Sequence, residues 1–208
     1  MPNWCSTKIT IYCKSEQDAS RFADTIKSSL KSVKMENGFG DTWLGNILLN
    51  LDLATVQRGE HEETIKTDYR CRGTVLDLFQ SSDEVTIYTD TAWSPMLKMW
   101  TAVADKILGE GNYEKYYTAE EPGCELYGTN DPDMVGRVFI DFFDNYEVLE
   151  KAFKDCDQSE EEFIEDAQRF MKTDEKDFYK LVKMLESGEY GESISVHKYE
   201  YYSWEDCI

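Results

Sequence analysis

Apolar and polar positions alternate through residues 6–13, with Ile9 and Ile11 on one face and Thr10 and Tyr12 on the other, which predicts a first strand. The period then lengthens. Ser15 stands as an N-cap with Asp18 three residues on, and Ala19, Phe22, Ala23, Ile26 and Leu30 recur at helical spacing. Residues 34–41 are Gly-rich and polar; behind Thr42, the residues Leu44, Ile47, Leu48 and Leu51 predict a short helix. The polar and acidic run 57–68 reads as a surface loop.

Two strand-like runs, Gly73 to Gln80 and Glu84 to Thr91, are joined by Ser81, Ser82 and Asp83, the composition of a hairpin turn. Ser94 followed by Pro95 predicts a helix start, with Ser94 as cap, Pro95 in the first turn, and Leu97, Trp100, Val103, Ala104 and Ile107 as its buried face. Tyr113 to Thr118 and Gly136 to Phe143 read as further strands around a turn at Glu121 to Gly123.

From residue 145 the period is helical again, through Val148, Leu149, Ala152 and Phe153, then Phe163, Ala167 and Phe170, then Phe178, Leu181, Val182 and Leu185. Ser159 and Glu162 form a capping-box pattern, Ser187-Gly188 a helix stop, and residues 193–202 alternate as a closing strand. The expected fold class is therefore α+β, an antiparallel sheet with helices on one face and an acidic helical segment at the C-terminal end. Residues 1–143 form the expected α+β domain, and 144–208 a helical subdomain with a closing strand, packed on the same domain.

Composition narrows the function. Within 208 residues, 41% hydrophobic and 13% aromatic content supports a folded core. Forty-two acidic against 22 basic residues give a net charge of −20, which opposes binding to a phosphate backbone. The charge is uneven, with 14 acidic and five basic residues between 141 and 177. No apolar run approaches the roughly 18 residues of a membrane span, and no secretion signal is evident, so a cytoplasmic protein is expected. Six scattered cysteines without a Cys-x-x-Cys pair read as reduced thiols.

Three short segments carry a resemblance: Met1-Pro2-Asn3-Trp4-Cys5, Thr91-Ala92-Trp93-Ser94-Pro95, and Glu121-Pro122-Gly123-Cys124 with Gly128 following. In order and approximate spacing, they resemble the YubB-like, ferredoxin-like family of plasmid and phage proteins through about residue 140. The resemblance implies a ferredoxin-like sheet and a shared role for the aromatic and acidic cluster, and no established activity. It departs at Arg72-Gly73-Thr74-Val75-Leu76, where relatives carry a Trp-Gly-Thr-Lys-Trp-like element.

Candidate chemistry is sparse. Pro2 would act as an N-terminal base or nucleophile only after loss of Met1; the plainer reading has Pro2, Asn3 and Trp4 fixing the entry of the first strand, with Trp4 packed as an anchor. His61 and His197 have no ligand-spaced partners, and Asn130, Asp131, Asp133, Asp141 and Asp144 lack EF-hand spacing. No cofactor motif, nucleophile elbow or phosphate loop is present, and no metal or cofactor is assigned; the balance leans away from an enzyme. Trp93, Trp100 and Tyr117 offer stacking faces near Glu120 and Glu121 as a small-ligand site, or else a rigid strand-to-helix corner.

The leading expectation is a non-enzymatic interaction protein of mobile-element type that binds a protein partner, in an oligomeric state the sequence leaves open. Its partner surface would be the acidic helix carrying Glu160, Glu161, Glu162, Glu165 and Asp166, which in a sharper form mimics nucleic acid and in a plainer one keeps the chain in solution.

Overall fold

The computed structural model describes residues 3–35, 39–59, 62–143, 146–153 and 155–205. The chain forms two compact units, Met1–Asn130 with Tyr202–Ile208, and Asp131–Tyr201. Both combine helices with sheets, so the fold class is α+β. Among the described residues, no helix is long and apolar enough to cross a membrane.

The first unit runs β1 (Trp4–Cys13), α1 (Glu16–Lys31), α2 (Leu44–Asn50), β2 (Thr55–Arg58), β3 (Glu63–Lys66), β4 (Gly73–Ser81), β5 (Glu84–Ala92), α3 (Leu97–Leu108), β6 (Tyr113–Glu121), a 3-10 turn (Pro122–Cys124) and β7 (Leu126–Thr129). Its sheet places the strands in the order β7-β6-β1-β5-β4. Each of these pairings is antiparallel, with Ile9 facing Ile87 on one side and Tyr117 on the other.

Alternation along β1 and β5 sends Cys5, Ile9, Ile11, Val85 and Ile87 into a core shared with Phe22, Ile26, Leu48 and Trp100. Full burial of each large side chain contributes about 1.5–3 kcal/mol. The Ser15 side chain caps α1 by accepting from the Asp18 amide at 3.2 Å. Trp204 closes the unit: its indole Nε1 donates to Thr101 Oγ1 at 2.8 Å, and its ring meets Tyr117 edge-on.

Three local expectations change. The run expected as a loop at 57–68 contains much of the hairpin β2–β3, in which only Val56 and Ile65 reach the core, so its inward alternation is too short to stand out. Trp43 rather than Thr42 occupies the N-cap position of α2, with no side-chain capping bond. Helix α3 begins at Leu97 behind Met96, leaving Ser94 and Pro95 outside it. The Ser94 carbonyl is held instead by the Thr91 hydroxyl at 2.6 Å.

The second unit contains β8 (Arg137–Phe142), α4 (Tyr146–Ala152), β9 (Asp157–Ser159), α5 (Glu160–Met171), α6 (Phe178–Glu186), β10 (Ile194–Lys198) and β11 (Glu200–Tyr201). Strand β8 lies between β10 and β9. It therefore belongs to this unit rather than to the N-terminal one, and the division between units falls at Asn130 instead of residue 143. A separate core gathers Val138, Ile140, Phe153, Phe163, Leu181 and Ile194, with the Phe153 and Phe163 rings stacked at 6.0 Å. Ser159 and Glu162 form the reciprocal capping box of α5.

Candidate functional site

The three sequence-distant segments Asn3-Trp4-Cys5, Thr91 to Pro95, and Glu121 to Cys124 meet at one end of the first unit's sheet, where β1 begins and β5 and β6 finish. The register requires it: Trp4 pairs with Ala92, and Ser6 with Glu120. Asn3 ties all three together. Its carbonyl accepts from the Trp93 amide at 3.1 Å, and its side-chain Nδ2 donates to Cys124 Sγ at 3.9 Å. Gly123 permits this approach, because a Cβ there would lie 2.4 Å from Asn3 Nδ2.

A cavity of about 860 Å³ opens at the same end. Trp4, Trp43 and Trp93 form its aromatic wall, with Phe39 beside Trp43 at a centroid distance of 5.1 Å. Ala92, Met96 and Ile65 add apolar surface, and Arg70, Arg72, Thr67 and Thr74 add polar groups. This is the usual make-up of a small-molecule site, whose volume is typically roughly 300–1,000 Å³ and whose wall is mostly apolar with a few polar groups.

The wall is positioned by local devices. Trp43 lies over Gly45 so closely that a Cβ on that glycine would fall 2.2 Å from the ring. Asn46 Nδ2 donates to the Gly40 carbonyl at 2.8 Å, fixing the segment next to Phe39. The Val75 amide donates to the Thr42 carbonyl at 2.9 Å, tying the entry of α2 to β4.

Trp4 and Trp93 each remain 51% exposed, against the common burial of large aromatic rings. Trp93 also sits at φ +72° and Met96 at φ +55°. A left-handed non-glycine residue costs about 1–3 kcal/mol, and such strain clusters at ligand clamps and active sites. Two of them bracket Ser94-Pro95, and both line the cavity.

Of the five residues expected to form a ligand site, only Trp93 lines this cavity. Trp100 and Tyr117 are fully buried core residues: Trp100 packs on the inner face of α3, and the Tyr117 hydroxyl donates to the Tyr202 carbonyl at 3.2 Å. Glu120 points outward from the sheet, and Glu121 points into the core at 1% exposure. Adjacent strand positions face opposite sides, so the two carboxylates cannot serve one pocket. The Glu121 carboxylate accepts from the Cys124 thiol, which raises the pKa of Cys124, with a smaller rise from burial. Its other oxygen, Oε2, has no hydrogen-bond partner among the described residues.

Trp4, expected as a packed anchor, instead presents its ring to the cavity. Phe39, Trp43, Tyr69, Arg70 and Arg72 were not foreseen, because the site is assembled from four separate stretches of chain. One signal was present: Arg70-Cys71-Arg72 is a basic cluster in a strongly acidic sequence.

The acidic helix is less available than its sequence suggests. Asp166 is fully buried and held by Arg169 at 2.5 Å, Glu162 is committed to the capping box, and Glu160 pairs with Lys198 at 3.3 Å. Glu161 and Glu165 remain exposed. Asp131 takes part in a local turn by accepting from the Asp133 amide, Asp141 pairs with His197 at 3.0 Å, and the Asn130 side chain bonds the backbone of β6. Among the described residues, no three His, Cys, Asp or Glu side chains form a metal-holding group. Pro2, His61 and Asp144 lie outside the described residues.

No protein-family model, no curated protein and no solved structure matches the chain.

Proposed function

We propose that the first unit is a small-ligand-binding module and that the cavity framed by Trp4, Trp43 and Trp93 is its site. The observation that carries this reading is the pairing of two half-exposed indoles with a strained backbone at the mouth of an apolar cavity. A corner built for folding alone would bury Trp93 and relax its φ angle. Membership of the YubB-like family remains part of this proposal, supported by the meeting of its three recurrent segments around Asn3. The antiparallel strand order β6-β1-β5-β4, with α1 between β1 and β4 and α3 between β5 and β6, each pair running in the same direction, supports the ferredoxin-like topology within the wider sheet.

Cys71 lines the cavity, but burial pushes its thiol up to about 11, which leaves it little thiolate near neutral pH, so the reading is binding rather than catalysis. The acidic-surface alternative is weaker. Nucleic-acid mimicry requires an array of free carboxylates, and only Glu161 and Glu165 of the five candidates are both exposed and uncommitted to a cap or ion pair.

A fragment screen by ligand-observed NMR tests the proposal, with Trp93→Ala as the control. Aromatic fragments are expected to bind the wild-type protein and to lose binding in Trp93→Ala. Binding that is unchanged in the variant, or absent from both proteins, would refute it.

A further inference from the structure

We infer that the cavity takes a small organic anion, a flat apolar ring bearing a single carboxylate or phosphate, with the ring among the tryptophans and the anionic group on Arg70 and Arg72. This rests on the ligand-binding reading and adds the charge of the ligand. The argument begins with what the arginines do elsewhere. The chain has six, and 42 acidic residues are available to pair with them. Arg21, Arg58, Arg137 and Arg169 each hold a carboxylate, at 2.8, 2.8, 2.5 and 2.5 Å. Arg70 and Arg72 are the two that form no ion pair among the described residues, and both line the cavity.

The lining points the same way. No Asp or Glu among the described residues contributes to the cavity wall, although the chain carries a net charge of −20. Asp68 stands in sequence between the lining residues Thr67 and Tyr69 and is not part of the wall. A guanidinium presents a rigid fork of N–H donors matched to a carboxylate or phosphate. Beside a mostly apolar wall, it selects a ligand that is anionic at one end and flat and apolar at the other. The surrounding negative field disfavours a long polyanion, which would place many charges against it, and favours a ligand with one anionic group.

The anion could be a carboxylate or a phosphate, and the test separates the two. Wild-type protein and the double variant Arg70→Gln/Arg72→Gln would be titrated calorimetrically with 2-naphthoate, 2-naphthyl phosphate and the neutral 2-naphthamide. Both arginines are exposed, so the variant should fold, which its thermal midpoint verifies. At least one of the two anions is expected to bind the wild-type protein about tenfold or more tighter than the amide, since a hydrogen bond to a charged group is worth roughly 1.5–3 kcal/mol. In the double variant that preference disappears while amide binding persists. If the amide matches both anions in the wild-type protein, the charge assignment fails and the cavity reading stands. If none of the three binds, both fail. Tighter binding of a short oligothymidylate than of naphthyl phosphate would overturn the small-ligand assignment in favour of a nucleic-acid strand.

Discussion

The amide of Trp93 donates to the carbonyl of Asn3 across 90 residues of sequence, at 3.1 Å. That bond extends the β1–β5 ladder one step past Ala92 and brings the half-exposed Trp93 ring beside Trp4 at the cavity. It also holds Trp93 where its backbone is left-handed. The sheet supplies the force that a single strained residue needs to persist.

The strain has a measurable signature. Replacing Trp93 with Ala or with Gly removes the same indole, but only Gly relaxes at φ +72°. Trp93→Gly is therefore expected to be more stable than Trp93→Ala by about 1 kcal/mol in urea unfolding. Equal stability would show that the left-handed conformation is not retained in solution.

Gly73 tests the close approach of β4 to β5 beneath the cavity. A Cβ there would lie 2.6 Å from the Asp90 carbonyl oxygen and 2.9 Å from Thr91 Cα, both backbone atoms that cannot swing aside. Gly73→Ala is expected to cost about 1–3 kcal/mol, measured as a fall in the urea midpoint. The same change should disturb the neighbouring Arg72 and weaken anion binding.

Cys71, between the two cavity arginines, gives a pH dependence. Burial pushes its thiol from an ordinary 9.0 up to about 11. The folded state thus keeps a proton that the unfolded chain loses. This contribution to stability is fully present below pH 9.0 and is lost as the pH rises through about 11. Tyr113 is raised in the same direction by burial and by its hydrogen bond to Asp105, so the comparison must be made against Cys71→Ala. The variant is expected to show a shallower fall of the thermal midpoint between pH 9 and 11 than the wild-type protein.

The acidic helix should divide into structural and surface carboxylates. Asp166→Asn weakens the pairing of a fully buried carboxylate with the half-exposed Arg169 and is expected to cost about 1.5–3 kcal/mol in chemical unfolding. Glu165→Gln, on the exposed face, should change stability by less than about 0.5 kcal/mol. A large effect at Glu165 or none at Asp166 would reverse this division.

Much of the secondary structure is legible in the sequence because its periods are long and regular. The faces of β1, α1 and α3 follow directly from Ile9 and Ile11, from Phe22 and Ile26, and from Trp100 and Val103. The capping box at Ser159 and Glu162 is local chemistry and reads equally well. What fails depends on distant partners. Gly136 to Phe143 is visible as a strand, but nothing within it reveals that β9 and β10 are its neighbours. Ser94 has the composition of a cap, yet the Thr91 hydroxyl engages its carbonyl and α3 starts three residues later. Trp93 was legible as a candidate because of its motif. Its cavity was not, because Trp4, Trp43 and Arg72 are brought to it by strand pairing and by α2. Trp100 and Tyr117 carry the same aromatic signal and belong to the core.

The central claim, that Trp4, Trp43 and Trp93 line a binding cavity while Trp100 and Trp204 do not, can be read from the five indole N–H resonances of the ¹⁵N-labelled protein during titration with 2-naphthoate. The account expects the signals of Trp4, Trp43 and Trp93 to shift with a common saturation curve, and those of Trp100 and Trp204 to stay in place. Shifts confined to Trp100 or Trp204, or no saturable shift at Trp93, would contradict it.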